Sequence, residues 1–323
     1  MAGNARIQLA MVGRPQWGDY ISEALEADVP TIHVTSEKNS ADIVRYIGNS
    51  IRKSSTLKRV SAKLRDEIVE KLSTGGQGMF LWVDLMLQVL LKKKSESAVQ
   101  KSLDEAPKGL KEMLHHVLER FSLDSTEEDA EYLNELLAWT TCAQRPLKLG
   151  ELDAILKLQS QEGEGMLLFE DALRGRFASF FSLTRADRRS TGELQSKPRS
   201  VIDSDDEQED HIHEKGFEDF KNVTVFHSNP GTTEVTFCHA SIGDFFRDES
   251  EGKVSAGDGY PVIVVDFNQA RISVLKKCLE LFCVDELVDQ LQNGGRSLVY
   301  YARYKWQAHL LAVDPSTANA TQR

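Results

Sequence analysis

The most apolar stretch of the sequence is residues 78–91, GMFLWVDLMLQVLL, in which Asp84 and Gln88 are the only strongly polar residues. It is too short to cross a bilayer, which takes about 20 apolar residues. A helix that is apolar nearly all round must be enclosed by protein. Three lysines at residues 92–94 suit its C-terminal end, where cations meet the negative pole of the helix dipole. The stretch therefore predicts a buried core helix on which amphipathic helices pack, and as such it needs no chemical role.

The composition limits the classes of protein that the chain can belong to. A length of 323 residues with 41% hydrophobic content predicts two or three compact units. A net charge of −11 argues against general binding to nucleic acid or to anionic membranes. No secretory signal follows Met1, and no stretch is long and apolar enough to span a membrane. We therefore expect a cytoplasmic protein.

The cysteines indicate an intracellular protein. They lie beside apolar residues and lack CxxC spacing, which predicts reduced core thiols rather than disulfides or metal ligands. They are Cys142, Cys238, Cys278 and Cys283.

The chain begins with strand-like segments. Residues 7–12, IQLAMV, form a nearly continuous apolar run of the kind found in buried parallel strands, and residues 31–34 form a second such run. Two strands do not make a stable sheet. We therefore expect the chain to begin with the remnant of a parallel α/β sheet.

Helical periodicity dominates the next part of the chain. Ile43, Ile47 and Ile51 are spaced four apart and mark one amphipathic helix. A second apolar stripe runs from Leu57 to Leu72, and another follows Pro107. The predicted fold class is mainly α with a small β component, including a helical bundle.

The centre of the chain predicts a winged helix. Helices are expected at residues 131–143, after the tripeptide 145–147, and at residues 169–181. Two β-rich pieces, residues 223–227 and 234–239, flank a strong turn signal, Asn-Pro-Gly. Three helices followed by a β-hairpin is the order of a winged helix.

A polar tract interrupts this unit. Residues 185–221 contain too few apolar side chains to fold, so they predict a disordered insertion. Ser204 precedes three acidic residues there and is a possible phosphosite, although a solvated tract without modification explains the composition as well. The predicted domains are residues 1–75, 76–122, 123–250 and 251–323.

The sequence contains few motifs that indicate a catalytic or ligand-binding site. The sequence contains no G-x-x-x-x-G-K-[ST] phosphate loop, no G-x-S-x-G and no H-E-x-x-H, so neither a catalytic nor a metal site is predicted. Strand alternation places His239 on the face of Val235 and Phe237, which predicts an inward side chain. Ser241 and Asp244 follow with capping-box spacing. A histidine beside a helix N-terminus is either a satisfied core residue or part of an anion-binding nest.

Several stretches in order resemble the fungal STAND proteins with a NACHT-type nucleotide-binding module, relatives of NOD-like receptors. The matching stretches are IQLAMVGRPQ, GQGMFLWVDLML, LDEAPKGLKEMLHHVLERF, AQRPLKLGELDAIL, VTFCHASIGDFF and YYARYKWQAHL. The resemblance implies that Arg14 is a sensor arginine near the terminal phosphate and that His239 reaches the β-phosphate of ADP. It also implies that the turn containing Gly78, Met79 and Phe80 lines the adenine side.

Departures from the family pattern bear on activity. Gly13 stands where Ser or Thr is usual. Phe80 stands where plant receptors have proline, although fungal members commonly have phenylalanine there. The phosphate loop and the acidic metal-binding strand would precede Ile7 and are not in this sequence. Phosphoryl transfer needs both. We therefore expect no NTPase activity and no independently bound cofactor, with ADP or ATP implied by the family alone.

The resemblance predicts a regulatory part of a nucleotide-switch protein in self/non-self or innate-immunity-type signalling, with protein partners such as full-length relatives or an NTPase half. Two alternatives stay open. One is a winged-helix nucleic-acid binder that uses Arg174 and Arg176, against which the net charge argues. The other is a helical scaffold or decoy that pairs with full-length relatives.

Overall fold

The computed structural model describes residues 10–11, 13, 16–26, 30–160, 165–185, 226–248, 253–283 and 295–314. Over these residues the chain is mainly helical with a small antiparallel β component, which confirms the predicted fold class. The chain divides into two compact units, Met1–Leu110 and Lys111–Arg323. The finer division into four domains stays a prediction.

The described part of unit 1 is helical. Thr35, Ser61 and Ser95 cap the N-termini of α2, α3 and α5 with their hydroxyl groups, as expected of Ser and Thr at such positions. The elements are α1 (Gln16–Leu25), α2 (Ser36–Lys53), a short 3-10 helix (Leu57–Arg59), α3 (Ala62–Gly75), α4 (Phe80–Leu91) and α5 (Glu96–Asp104).

Helix α4 forms the core of unit 1, as its sequence predicts. Its buried side chains are Leu81, Trp82, Val83, Leu85, Met86, Leu87, Val89 and Leu90. The predicted isoleucine stripe of α2 is also buried, and α2, α3 and α5 all contact α4. Burial of each large aliphatic side chain contributes about 1.5–3 kcal/mol, so this interior is the main source of stability in the unit.

The predicted strand at residues 31–34 is wrong. Residues 30–35 have no regular secondary structure, and the side chains of Ile32 and Val34 are 83% and 72% exposed. A strand needs a neighbour for its backbone groups, and the described residues of unit 1 contain none. The other predicted strand, residues 7–12, lies outside the described residues except for Ala10 and Met11.

Unit 2 combines helices with two small sheets. Its elements are α6 (Gly109–Asp124), α7 (Glu127–Cys142), β1 (Leu147–Lys148), α8 (Leu149–Gln159), α9 (Phe169–Arg174), β2 (Phe181–Thr184), β3 (Glu234–Phe237), α10 (Ala240–Arg247), β4 (Lys253–Val254), β5 (Ile263–Val264), α11 (Phe267–Cys283) and α12 (Gly295–Ala312).

The main sheet has the antiparallel order β1-β3-β2, with Leu183 opposite Val235. The sequence correctly places β3, but it assigns the wrong partner. Phe226 and His227 are not in a strand, residues 223–225 lie outside the described residues, and β3 pairs instead with β2.

The predicted third helix therefore ends early, at Arg174 instead of residue 181. Gly175 follows it, and the alternating burial of β2 suits a strand lying on a core. Residues 186–225 lie between the two paired strands and outside the described residues, so the disorder predicted there stays a prediction.

The cysteines are free, but only two of them are core residues. Cys142 and Cys278 are buried, and burial raises the pKa of each thiol to about 12. Cys238 and Cys283 are exposed because they follow the last residue of β3 and end α11, respectively. The prediction of core thiols is therefore confirmed for Cys142 and Cys278 and wrong for Cys238 and Cys283. No helix among the described residues is long and apolar enough to cross a membrane.

Candidate functional site

The turn before α4 holds three of the residues that the sequence assigns to a nucleotide site. Gly78 has φ +84°, and a Cβ atom added there would lie 2.5 Å from the Cα atom of Ser36. The Asn39 side-chain amide donates a hydrogen bond of 3.1 Å to the Gly78 carbonyl. Only glycine allows both this conformation and this close approach, so the turn is fixed against the start of α2.

Two further glycines fix the corner between α3 and α4. A Cβ atom at Gly75 would lie 2.7 Å from the Trp82 ring, and one at Gly76 would lie 2.6 Å from a Val83 methyl group. Trp82 is 1% exposed, and its Nε1–H donates to the Pro107 carbonyl at 3.1 Å. This packing places Met79 at the N-terminus of α4 and Phe80 in its first turn.

Phe80 presents a partly exposed aromatic ring. The side chain is 40% exposed, and its ring lies 5.9 Å from that of Tyr46 in an edge-on arrangement. The Tyr46 hydroxyl donates to an Asp84 carboxylate oxygen at 2.5 Å, and burial together with this carboxylate raises the pKa of Tyr46. Gln88 donates to the other Asp84 oxygen at 2.8 Å. The hydrogen bonds of Asp84 thus hold Tyr46, and Tyr46 contacts the Phe80 ring, which stays partly exposed.

The contact between Tyr46 and Asp84 is not predicted by the sequence pattern. Asp84 is the one carboxylate in the apolar stretch, which was a usable signal that its side chain has a specific partner. Tyr46 lies 38 positions earlier on α2, and no local pattern connects the two residues.

His239 is exposed, so the prediction of an inward side chain is wrong. Strand β3 ends at Phe237, and the alternation on which the prediction rested does not extend to residue 239. His239 is the N-cap of α10, and its Nδ1 atom accepts a 3.2 Å hydrogen bond from the Ser241 backbone N–H. His239 thus takes the cap position that the sequence analysis gave to Ser241.

The cap determines which tautomer the neutral His239 ring adopts. Because Nδ1 accepts a hydrogen bond, the proton of the neutral imidazole lies on Nε2. The ring therefore offers an N–H donor at the N-terminus of α10, where the helix dipole also favours an anion.

The predicted site residues fall into three groups. Gly78, Met79 and Phe80 are adjacent in unit 1, His239 lies in unit 2, and both Arg14 and Ser204 lie outside the described residues. No cluster of three or more potential metal ligands occurs in the described part of the chain. The nucleotide-binding roles stay predictions.

The two arginines proposed for DNA recognition form ion pairs within unit 2. Arg174 Nε donates to the Glu170 carboxylate at 3.0 Å, and Arg176 contacts Asp129. Helix α9 is also only six residues long. A six-residue helix that ends at Arg174, with Arg174 and Arg176 both paired to carboxylates, is poorly suited to reading a major groove.

Comparison with known proteins gives one informative match. The chain is similar to vegetative incompatibility protein HET-E-1 of Podospora anserina, with 28% identity over 153 residues. The match covers 46% of this chain and 11% of that protein, so the chain corresponds to a small part of its relative. No protein-family model and no solved structure matches the chain. The match supports a relationship to fungal NOD-like receptors at the level of a related family.

Proposed function

We propose that this chain is a regulatory part of a nucleotide-switch signalling protein related to the fungal NOD-like receptors. The observation that carries the proposal is the cap at His239. The side chain to which the family resemblance assigns a phosphate contact is exposed at a helix N-terminus, and its tautomer offers a donor. The similarity to a vegetative incompatibility protein supports the same class of function.

In this proposal the neutral His239 Nε2–H donates to a phosphate oxygen of ADP. The Nδ1 contact with Ser241 orients the ring and holds the proton on the outer nitrogen. The exposed part of the Phe80 ring in unit 1 is proposed separately, as a surface on which a flat base stacks.

The chain acts by binding and not by catalysis. Its 323 residues contain no phosphate loop, and a histidine donor cannot replace the lysine and the positioned magnesium ion that phosphoryl transfer requires. The nucleotide is therefore held mainly by a phosphate-loop domain, and this chain contributes contacts that depend on which nucleotide is bound.

The centre of unit 2 is interpreted as a winged helix with a regulatory role. The element order α7-β1-α8-α9-β2-β3 and the strand order β1-β3-β2 support this interpretation. Because Arg174 and Arg176 form internal ion pairs, we assign the winged helix to protein contacts rather than to nucleic acid.

Titration calorimetry with ADP tests the nucleotide contact. The purified chain would be titrated alone and after mixing with a separately expressed phosphate-loop domain of the NACHT type. We expect no saturable binding to the chain alone, and tighter ADP binding by the mixture than by the phosphate-loop domain alone. Equal affinity for the mixture and for the phosphate-loop domain would contradict the proposal.

The variant His239→Asn sharpens the test. Asparagine keeps a good N-cap acceptor but removes the imidazole donor, so α10 should stay folded. We expect ADP affinity of the mixture to fall about tenfold, as for the loss of one hydrogen bond to a charged group. His227→Asn changes an exposed histidine that caps no helix, and it should leave the affinity unchanged. An unchanged affinity in His239→Asn would rule out the phosphate contact.

A further inference from the structure

Glu151 connects two distant parts of unit 2. It lies in the first turn of α8 and is 0% exposed. Its carboxylate accepts hydrogen bonds of 2.9 and 2.7 Å from the Arg145 guanidinium and one of 2.9 Å from the Lys148 backbone N–H. It also accepts a 2.6 Å bond from the hydroxyl of Ser297, which belongs to α12.

Tyr301, one turn further along α12, adds a second connection. Its hydroxyl accepts a 3.1 Å hydrogen bond from the Gln144 backbone N–H and lies 2.8 Å from Nε2 of His309. The Arg145 guanidinium lies over the Tyr301 ring, 5.0 Å from its centroid. Arg145 therefore contacts both the buried carboxylate and the ring on α12.

The Tyr301 oxygen accepts from the Gln144 N–H. Its own proton is donated to Nε2 of His309 in the His309 tautomer that carries its proton on Nδ1. Burial, followed by the nearby Lys305, lowers the pKa of His309 to about 4, so the ring is neutral near pH 7. Burial raises the pKa of Glu151, but Arg145, Lys148 and Ser297 outweigh it, and the carboxylate stays ionised.

A buried polar network of this kind specifies position more than it adds stability. Burying Glu151 fully and Arg145 in part costs free energy that offsets much of their attraction. The apolar contacts of Leu298 and Ala302 contribute burial, but burial has no direction and tolerates sliding or rotation of the helix. The hydrogen bonds of Ser297 and Tyr301 are satisfied in one register only.

The two segments that meet here are RPLKLGE and YYARYKWQAH, which the sequence analysis singled out without giving either a physical role. We propose that Arg145, Glu151, Ser297, Tyr301 and His309 form a polar clasp that holds α12 on α8 in one register and opens while the sheet of unit 2 stays folded. Helix α12 is then the part of unit 2 that moves. This clasp does not depend on the proposed nucleotide contact.

Hydrogen–deuterium exchange of the full chain tests the clasp through the variant Glu151→Gln. Glutamine keeps the volume but loses the charge that pairs with Arg145 and one of the two oxygens that accept from Arg145, Lys148 and Ser297. We expect amide exchange in α12 to rise about tenfold or more, with exchange in β2 and β3 close to that of the unmodified chain. A uniform rise throughout unit 2, or no rise in α12, would overturn the proposal.

Two further variants keep the test decisive. Glu170→Gln removes the charge of another buried glutamate that also pairs with an arginine, and it should leave exchange in α12 unchanged. Ser297→Ala removes only the donor on α12 and keeps every charge, so the chain should fold normally. We expect a smaller rise that is confined to α12, and unchanged exchange in Ser297→Ala would also count against the clasp.

Discussion

The two units differ in what their interiors contain. Among the described residues, every buried side chain of unit 1 is hydrophobic, whereas all the buried polar side chains lie in unit 2. Those of unit 2 are Ser122, Asp129, Thr141, Glu151, Asp153, Glu170, Thr233 and His309. The buried interior of unit 1 is therefore stabilised by apolar burial, which has no preferred direction, whereas the buried interior of unit 2 also contains hydrogen bonds that specify geometry.

Glu170 shows what the polar interior does in unit 2. Its carboxylate accepts bonds of 2.8 and 2.9 Å from the backbone N–H groups of His227 and Ser228, and it also binds Arg174. Burial raises the pKa of Glu170, but the bonds from Ser228 and Arg174 outweigh it and lower the pKa overall. Glu170 thus fastens α9 to the segment that follows residues 186–225, as Glu151 fastens α8 to α12.

Truncation of Trp82 should have the largest effect on unit 1. We expect Trp82→Ala to lower the free energy of unfolding of unit 1 by about 4 kcal/mol, because it leaves a cavity against Gly75 in an apolar interior. Urea unfolding followed by circular dichroism measures this. Phe80→Ala, at a residue that is 40% exposed, should cost less than half as much. Equal losses in the two variants would mean that α4 is not the core of the unit.

Removal of the Glu170 carboxylate should cause the next largest loss of stability, and this loss should occur in unit 2. We expect Glu170→Ala to lower the free energy of unfolding by about 3 kcal/mol. This is at the lower end of the range for a broken buried ion pair, because Arg174 can regain water. The same urea experiment measures the loss. Asp171→Ala changes the neighbouring carboxylate, whose side chain is 46% exposed, and should lower the free energy of unfolding only slightly. If both variants are equally stable, the polar interior does not fasten α9.

Substitution of two glycines, Gly78 and Gly109, distinguishes the effect of backbone strain from the effect of close packing. Gly78 and Gly109 both have φ +84°, but only Gly78 has atoms within 4 Å of an added Cβ. We expect Gly109→Ala to lower the free energy of unfolding by about 1 kcal/mol, through backbone strain alone. Gly78→Ala should lower it by about 2 kcal/mol or more, because the new methyl group also meets Ser36. Thermal unfolding of both variants measures the difference. A larger cost for Gly109→Ala would contradict the close contact with Ser36.

The pH dependence of stability should be a small effect, comparable to those of the glycine variants, and it should come from the polar unit. His309 titrates near 6.5 when unfolded and at about 4 when folded, so only the unfolded state gains this proton as the pH falls below 6.5. One such proton lowers the free energy of unfolding by about 1.4 kcal/mol at pH 5.5, and the loss levels off below the folded pKa. Lys305, Arg145, Glu151 and Cys278 are the other titratable or charged groups near Tyr301 and His309.

Urea unfolding between pH 7.5 and 5.5 checks this prediction. His309→Gln keeps an acceptor for the Tyr301 hydroxyl but does not titrate, so its stability should fall less than that of the unmodified chain. Parallel losses in the two proteins would show that His309 does not contribute.

The interior of unit 1 could be predicted from the sequence, and that of unit 2 only in part. Apolar side chains must be buried wherever they lie, so the run around α4 and the isoleucines of α2 identify a core without knowledge of any partner. Strand pairing depends on which segments meet, and the sequence therefore chose the wrong partner for β3. Ser297 lies 146 positions from Glu151, and nothing in the local pattern of either residue indicates the other.

The candidate site shows the same limit. The position of His239 at a helix N-terminus was predictable from the residues that follow it. Its exposure was not, because the end of β3 at Phe237 decides how far the alternation extends. Gly78 and Phe80 could be placed at the start of a helix, but the contacts with Ser36 and Tyr46 require the packing of α2 on α4.

Native-state hydrogen exchange of the unmodified chain at increasing urea concentration tests the difference between the units most directly. If unit 1 is held by one apolar core, α2, α3 and α4 will exchange through a single cooperative opening with a common urea dependence. If polar contacts fasten separate parts of unit 2, α12 will open at lower free energy than β2 and β3 do. A single cooperative opening of the whole of unit 2, with α12 as protected as its sheet, would contradict that description.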